Sequence, residues 1–418
     1  MRLSTVVSHQ LGVNAMTRQE GKVVETMQQL ASGKRVLSPA DDPLAASQAV
    51  NVAQTQSLNQ RYGVNRDIAR QSLSLQEQSL STIATTLTEV STRLVEAGGV
   101  YSDADRVSVA NVLSEMRNTL LGFANTTDGN GQYLYSGDKG NIEPFAANAA
   151  GGVAYHGDAG SRDIQVAQTR QMSSAASGAD VFLRAAPGSL VHFAEAGLDN
   201  QGTVTFGSVE LRDPRGSAAG GVFQIRLENN PDHDPADPAS AEWRVRVTDS
   251  TTGDSVPTLD GSPYRADGTT IDLGGVNITL SGEPVDGDSF VVASAAAVEM
   301  DMFTAIDNVV QALQRPTDND PVAAAALSNA LATAARKVTA HFDNVLTVRS
   351  AAGARLNELD ALDHEGDSRN LNYRQQLSSL EDLDYRAASS DMAVRVMALQ
   401  AAELAYMKTQ GLGLFSRK

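Results

Sequence analysis

A seven-residue repeat constrains this chain more than any other feature in it. Between residues 64 and 98, Leu73, Leu80, Leu87 and Leu94 recur at every seventh position, and Gln76, Ile83, Val90 and Ala97 stand three places after each of them. A stripe with that period keeps facing one neighbour through many turns, so the segment predicts a long helix lying alongside a partner helix. The ordinary place for such a stripe is the interior of its own domain. Gly98-Gly99 predicts where the helix ends. Ser102 or Asp103 then suits the cap of a second helix, with Val109, Val112, Met116, Leu120 and Phe123 along one face. A further helical pattern runs from about 322 to 410, with few breakers beyond Gly353 and Gly366. In it Met392, Val396, Leu399, Ala402 and Tyr406 form one face, bordered by Met397, Ala401 and Leu404.

Between these helical stretches the rhythm changes. Residues 189–300 hold 18 Asp plus Glu against 6 Arg and no Lys, which is −12 of the chain's −17. Seven of the 13 prolines fall there, so long helices are excluded and strands joined by turns are favoured. Apolar residues alternate with period two at Phe223, Ile225 and Leu227, at Trp243, Val245 and Val247, and at Val276, Ile278 and Leu280. That alternation predicts half-buried antiparallel strands, with turns at Asp260-Gly261, Asp267-Gly268 and Asp286-Gly287. Val153 and Tyr155, a turn at 157–160, then Ile164 and Val166 predict one extra hairpin over 152–168. The fold class expected is mainly α with an inserted antiparallel β domain.

Chemistry finds no foothold. A length of 418 residues allows two or three folded units, and the absence of cysteine removes thiolate, zinc–thiolate and iron–sulfur chemistry. The acidic balance repels nucleic acid and anionic lipid. The six histidines, His9, His156, His192, His233, His341 and His364, show no metal-ligand spacing. Ser32-Gly33-Lys34 resembles the end of a phosphate loop, but Gln28 and Arg35 occupy positions that need Gly and Ser or Thr. The acidic run 232–237 lacks the Gly and Glu of a calcium loop, and Gly411-Leu412-Gly413 has no helix after it. Neither catalysis, a metal nor a cofactor is expected. No stretch approaches the roughly 18 apolar residues of a membrane span. The first thirty residues also lack the apolar block of a secretory leader, which leaves a cytoplasmic address or export by another route.

The two ends demand partners. Ordering a residue costs about 1–2 kcal/mol of backbone freedom, and burying a Leu or Met returns about 1.5–3 kcal/mol, so one isolated stripe does not order a terminal helix. Residues 1–30 and 390–415 are expected to be disordered in the free chain and to pair with each other and with neighbouring subunits once assembled.

Several motifs stand in order at both ends: Ser32 to Val36, Pro39-Ala40-Asp41-Asp42-Pro43, Asn125-Thr126-Thr127, Gln132 to Gly137, Gly353 to Asn357 and Leu377 to Asp384. Taken together they resemble the flagellin superfamily over about residues 1–150 and 340–418. By itself, residues 39–43 read as a shaped corner in which Asp41 or Asp42 caps a new helix and Pro43 takes its first position. The Tyr-Leu-Tyr-Ser-Gly segment favours members that join hook to filament over flagellin itself. Gly413, where Ser is more usual, and Gly21, inside the first helix, depart from the pattern.

The resemblance implies a polymerising protein with long N- and C-terminal helices paired in a coiled-coil-like bundle and a β domain pointing outward. The domains implied are terminal assembly segments 1–40 and 385–418, a helical bundle 41–188 and 299–384 with a small hairpin, and an acidic outer domain 189–298. The assembly interface implied is Leu3, Val7, Leu11, Met27, Leu30, Met392, Val396, Leu399, Leu404, Leu414 and Phe415. Its partners would be hook-associated protein 1 on the hook side, flagellin on the filament side and its own copies in a ring. A cytoplasmic chaperone and the flagellar type III export apparatus would act earlier, delivering the chain outside the cell without a cleaved leader. The competing readings are a minor filament subunit and a binding or enzymatic domain displayed on the flagellum by the β module.

Overall fold

The structure, a computed structural model, describes residues 5–99, 102–129, 131–148, 152–216, 220–234, 236–237, 240–250, 252–256, 259–298 and 300–414. Its elements in chain order are α1 (Thr5–Ser32), α2 (Pro43–Ala97), α3 (Asp103–Ala124), β1 (Phe145–Ala147), β2 (Val153–Tyr155), β3 (Asp163–Ala167), β4 (Arg170–Ser173), α4 (Gly178–Phe182), β5 (His192–Ala196), β6 (Thr205–Phe206) and β7 (Glu210–Leu211). They continue with β8 (Val222–Asn229), β9 (Trp243–Asp249), β10 (Ser262–Tyr264), β11 (Thr269–Asp272), β12 (Val276–Ser281), β13 (Ser289–Ser294), α5 (Met302–Gln314), α6 (Pro321–Glu381) and α7 (Tyr385–Leu414). Two compact units result, one of residues 1–64 with 361–418 and one of 65–360. The helix breaks lie near 33–42 and 382–384, while the unit boundaries fall at 64/65 and 360/361, inside α2 and α6.

In the unit of residues 65–360 the heptad stripe is core throughout. Leu73, Gln76, Leu80, Ile83, Leu87, Val90, Leu94 and Ala97 are all buried, and α2 stops at Ala97 as the two glycines dictate. Leu80 to Ala97 pack with α3, α5, α6 and a knot of Tyr135, Phe145, Phe182 and Phe303. Ring centroids there lie 5.1 Å apart for Phe145–Phe182 and 5.4 Å for Phe145–Phe303. Ser102 caps α3 through a reciprocal box with Asp105. The face of α3 turned inward differs from the expected one: Arg106, Ala110, Leu113, Leu120 and Ala124 are buried, whereas Val112 is exposed. Small Ala side chains bring α3 close to its neighbours, and the bulkier Val109, Met116 and Phe123 are left at the flanks.

The β module is built as the alternation predicts. Antiparallel strands β10-β9-β8-β13-β5 form one sheet; β11-β12-β6 form a second, and β7 also pairs with β12. Ile225, Leu227, Val245, Val247 and Phe290 of the first sheet share one core with Ile271, Val276, Ile278 and Leu280 of the second. Glycines 261, 268 and 287 take positive φ at the three predicted turns.

The single hairpin expected over 152–168 is two hairpins. β2 pairs with β1, Phe145 facing Tyr155, and β3 pairs with β4. The intervening loop is engaged elsewhere: Tyr155 Oη donates to the carbonyls of Tyr135 and Asp158, and Asp158 Oδ1 accepts from the Asp138 amide. This binding gives the Tyr-Leu-Tyr-Ser-Gly segment its role as a buried plug, with Leu134, Tyr135 and Ser136 fully enclosed. Asn125 mimics a strand beside it, since its side chain accepts from the Phe145 amide and donates to the Phe145 carbonyl.

Candidate assembly interface

In the unit of residues 1–64 and 361–418, α1 and α7 run antiparallel. Gly12, Met16, Gln19, Val23, Thr26 and Leu30 of α1 are its more buried residues, and they recur at steps of four and three. On α7 the corresponding series is Ala388, Met392, Arg395, Leu399, Ala402 and Tyr406. Two such series make a two-helix seam. Polar residues set its register: Arg395 donates to the Lys22 carbonyl at 3.1 Å, and Gln19 donates to the Arg395 carbonyl at 3.2 Å. Further along, Tyr406 contacts His9 through its hydroxyl and edge-on at 5.1 Å between ring centroids. Gly12 makes room for that ring, because a Cβ there would sit 2.9 Å from Tyr406.

At the other end of the pair, two motifs distant in sequence are stitched together. Lys34 bridges Asp382 as a single antiparallel ladder step. The Arg35 amide donates to the Glu381 carbonyl at 2.6 Å, and the Leu383 amide donates to the Gly33 carbonyl at 2.9 Å. Lys34 Nζ lies 2.7 Å from Glu381, whose hydrogen bond and charge hold the ammonium pKa above its ordinary value. Asp42 caps α2 by accepting from the Ala45 amide at 3.0 Å, with Pro43 in the first helical position. That hydrogen bond, followed by the one from Arg35, lowers the Asp42 pKa. Asp41 holds the preceding turn through the Leu37 and Ser38 amides, and Asp384 caps α7 through those of Arg386 and Ala387. The pattern expected to run on to 410 therefore breaks at 382–384, while Gly353 lies within α6.

The expected interface residues divide. Leu30, Met392, Val396 and Leu399 are half-buried, whereas Val7, Leu11, Met27 and Leu404 are exposed. Leu3 and Phe415 lie outside the described residues, as does the side chain of Leu414. Met16, Val23, Thr26 and Ala388 were missed, although the four-and-three spacing marks them. The arrangement leaves much apolar surface uncovered, with Leu11, Val24 and Met27 on α1 and Val394, Met397, Leu404 and Met407 on α7 all exposed. Apolar residues lie all round α7, and α1 covers only one stripe of it.

Among the described residues no group of three or more His, Asp or Glu is placed to hold a metal, and no helix is long and apolar enough to cross a membrane. Residues 4–139 match the family model of the bacterial flagellin N-terminal helical region. The fold and the paired termini thus resemble those of flagellin-type chains. Within that class, this chain is 29% identical over 99% of its length, and 99% of the relative's, to flagellar hook-associated protein 3 of Salmonella typhimurium. A crystal structure of Xanthomonas campestris FlgL superposes with a TM-score of 0.64 at 28% identity, covering 78% of this chain and 99% of that one. Flagellar hook associated protein-3 from Legionella pneumophila gives 0.67 at 25% identity, covering 79% and 98%.

Proposed function

We propose that this chain is a structural, non-enzymatic component of the bacterial flagellum that joins hook to filament and is needed for filament assembly and motility. The observation that carries the reading is α7, whose Val394, Met397, Leu404 and Met407 stay exposed outside the single stripe that its partner helix covers. Helices of that kind belong in an interior, and here the remaining cover is supplied by neighbouring subunits. Whole-length similarity to hook-associated protein 3 supports the junction role over that of a filament subunit.

On this reading the assembly interface combines Leu3, Val7, Leu11, Met27 and Leu30 with Met392, Val396, Leu399, Leu404, Leu414 and Phe415. Copies of the chain form a ring between hook-associated protein 1 and flagellin. The protein works outside the cell, reaching its place through the flagellar type III export apparatus without a cleaved leader, and an export chaperone shields its apolar terminal helix beforehand. Immunogold labelling of intact flagella tests this. A band at the distal tip of the hook is expected, together with flagellin leaking into the medium from a deletion strain. Label along the whole filament supports the minor-flagellin reading instead, and a deletion strain with normal filaments refutes the proposal.

A further inference from the structure

Between residues 329 and 344, successive turns of α6 hold the β module and the α4 loop. Asn329 accepts from the Phe206 amide at 3.1 Å and donates to the Val204 carbonyl at 2.9 Å. Thr333 donates to the Ala194 carbonyl at 2.6 Å, and Arg336 donates to the carbonyls of His192 and Val209 at 3.2 and 2.7 Å. Lys337 Nζ lies 3.2 Å from Glu195 and 4.8 Å from the centre of the Phe193 ring. Asn344 donates to the carbonyls of Asp180 and Arg184 at 2.7 and 3.0 Å. These contacts cap the edge of β5, whose carbonyls would otherwise be open to strand pairing.

One member of this stripe is unlike the rest. His341 stands one turn beyond Lys337, is fully buried, and has no hydrogen-bond partner on either ring nitrogen among the described residues. Its neighbour Ala340 packs with Phe193, Ala293, Ala295 and Met300. The ionisable groups on the surrounding elements do not offset a charge here. On α6 they are Arg336 and Lys337, both cationic, with Asp343 exposed on the opposite side. On β5 they are Glu195, held by Lys337, and His192, whose Nδ1 is 3.0 Å from the Leu190 carbonyl. Near α4 Asp180 is paired with Arg184 at 3.1 Å, and Asp301 caps α5.

We propose that His341 is an acid-sensitive latch: its neutral ring fits beneath the β module, and its protonated ring, with two N–H donors and no acceptor, releases the module from α6. Burying an unpaired cation is among the costliest changes a fold can undergo. Burial, followed by the charge of Lys337, lowers the His341 pKa from 6.5 to about 3 in the seated state. The released ring titrates at its ordinary value, so release takes up a proton. Seating is therefore at full strength above pH 6.5 and weakens as pH falls, with the released-to-seated ratio rising about tenfold per pH unit until about pH 3. At pH 4.5 the rise is about 100-fold.

Hydrogen exchange of the full-length chain, corrected for intrinsic rates, tests the latch. Between pH 7.5 and 4.5, protection of β5 is expected to fall about 100-fold further than that of the α2 core, and His341→Leu should remove most of that difference. An equal fall in wild type and variant overturns the proposal, as does a loss shared evenly with α2. Carbon-13 NMR of the wild-type histidine rings decides the matter even if the variant does not fold. A His341 ring that stays neutral until β5 loses protection supports the latch, and one that titrates while β5 stays protected overturns it.

Discussion

Replacing Met397 and Leu404 of α7 by alanine together separates assembly from folding. These side chains are 60% and 57% exposed, so well over half of their burial is still to be gained. Burying a whole Leu or Met is worth about 1.5–3 kcal/mol, which leaves about 1–1.5 kcal/mol for each, or about 2–3 kcal/mol per subunit contact. That is a loss of about 30- to 150-fold in association. In the free subunit neither side chain is enclosed, and alanine is a good helix former, so unfolding should shift by no more than about 0.5 kcal/mol. Denaturant unfolding of the purified subunit, quantitative immunoblots of sheared flagella and swarming assays together read both halves. A double variant that assembles at wild-type level refutes the reasoning, and so does one destabilised by about 2 kcal/mol or more as a monomer. Leu399→Ala is the contrast, because Leu399 is half-buried against α1 and should weaken both the free pair and the assembly.

Three other outcomes are expected. Gly137 has φ 69°, and a Cβ there would collide with the Asp158 carboxylate and carbonyl, so Gly137→Ala should cost about 2–3 kcal/mol in denaturant unfolding. Gln76 is buried in the heptad seam with both amide atoms unpartnered among the described residues, so the similarly sized Gln76→Met should raise stability by about 1 kcal/mol in the same assay. Glu228 accepts from Arg246, at 2.9 Å, and from Arg244, and these bonds hold its pKa below its ordinary 4.5. Its contribution is therefore present above that value and lost as pH falls below it. Glu228→Gln should flatten the pH dependence of β-module unfolding between pH 5 and 3, followed by fluorescence of Trp243, the chain's one tryptophan.

Much of the architecture is legible residue by residue. The stripe from Leu73 to Ala97, the alternations in β8, β9 and β12, the Ser102 cap and the corner at Asp42-Pro43 each depend on neighbours within a few positions, and each is present in the fold. The candidate interface is legible only in part. Apolar periodicity marks α7 as needing cover, yet it does not say which side of the helix α1 takes, since apolar residues surround α7. Which faces of α1 and α7 meet, with Met16 and Val23 half-buried in the seam, is decided by the fold.

The sequence by itself determined where helices and strands form, where most of the turns fall and that both ends carry apolar faces in need of partners, because periodicity and turn chemistry are local properties. Only the tertiary structure decided that β2 pairs with β1 and not with β3, that α3 turns Ala110 and Leu113 inward, and that Lys34 meets Asp382 across most of the chain. Those outcomes depend on which surfaces, far apart along the backbone, can come together with most of their polar groups bonded, and no local pattern distinguishes one such partner from another.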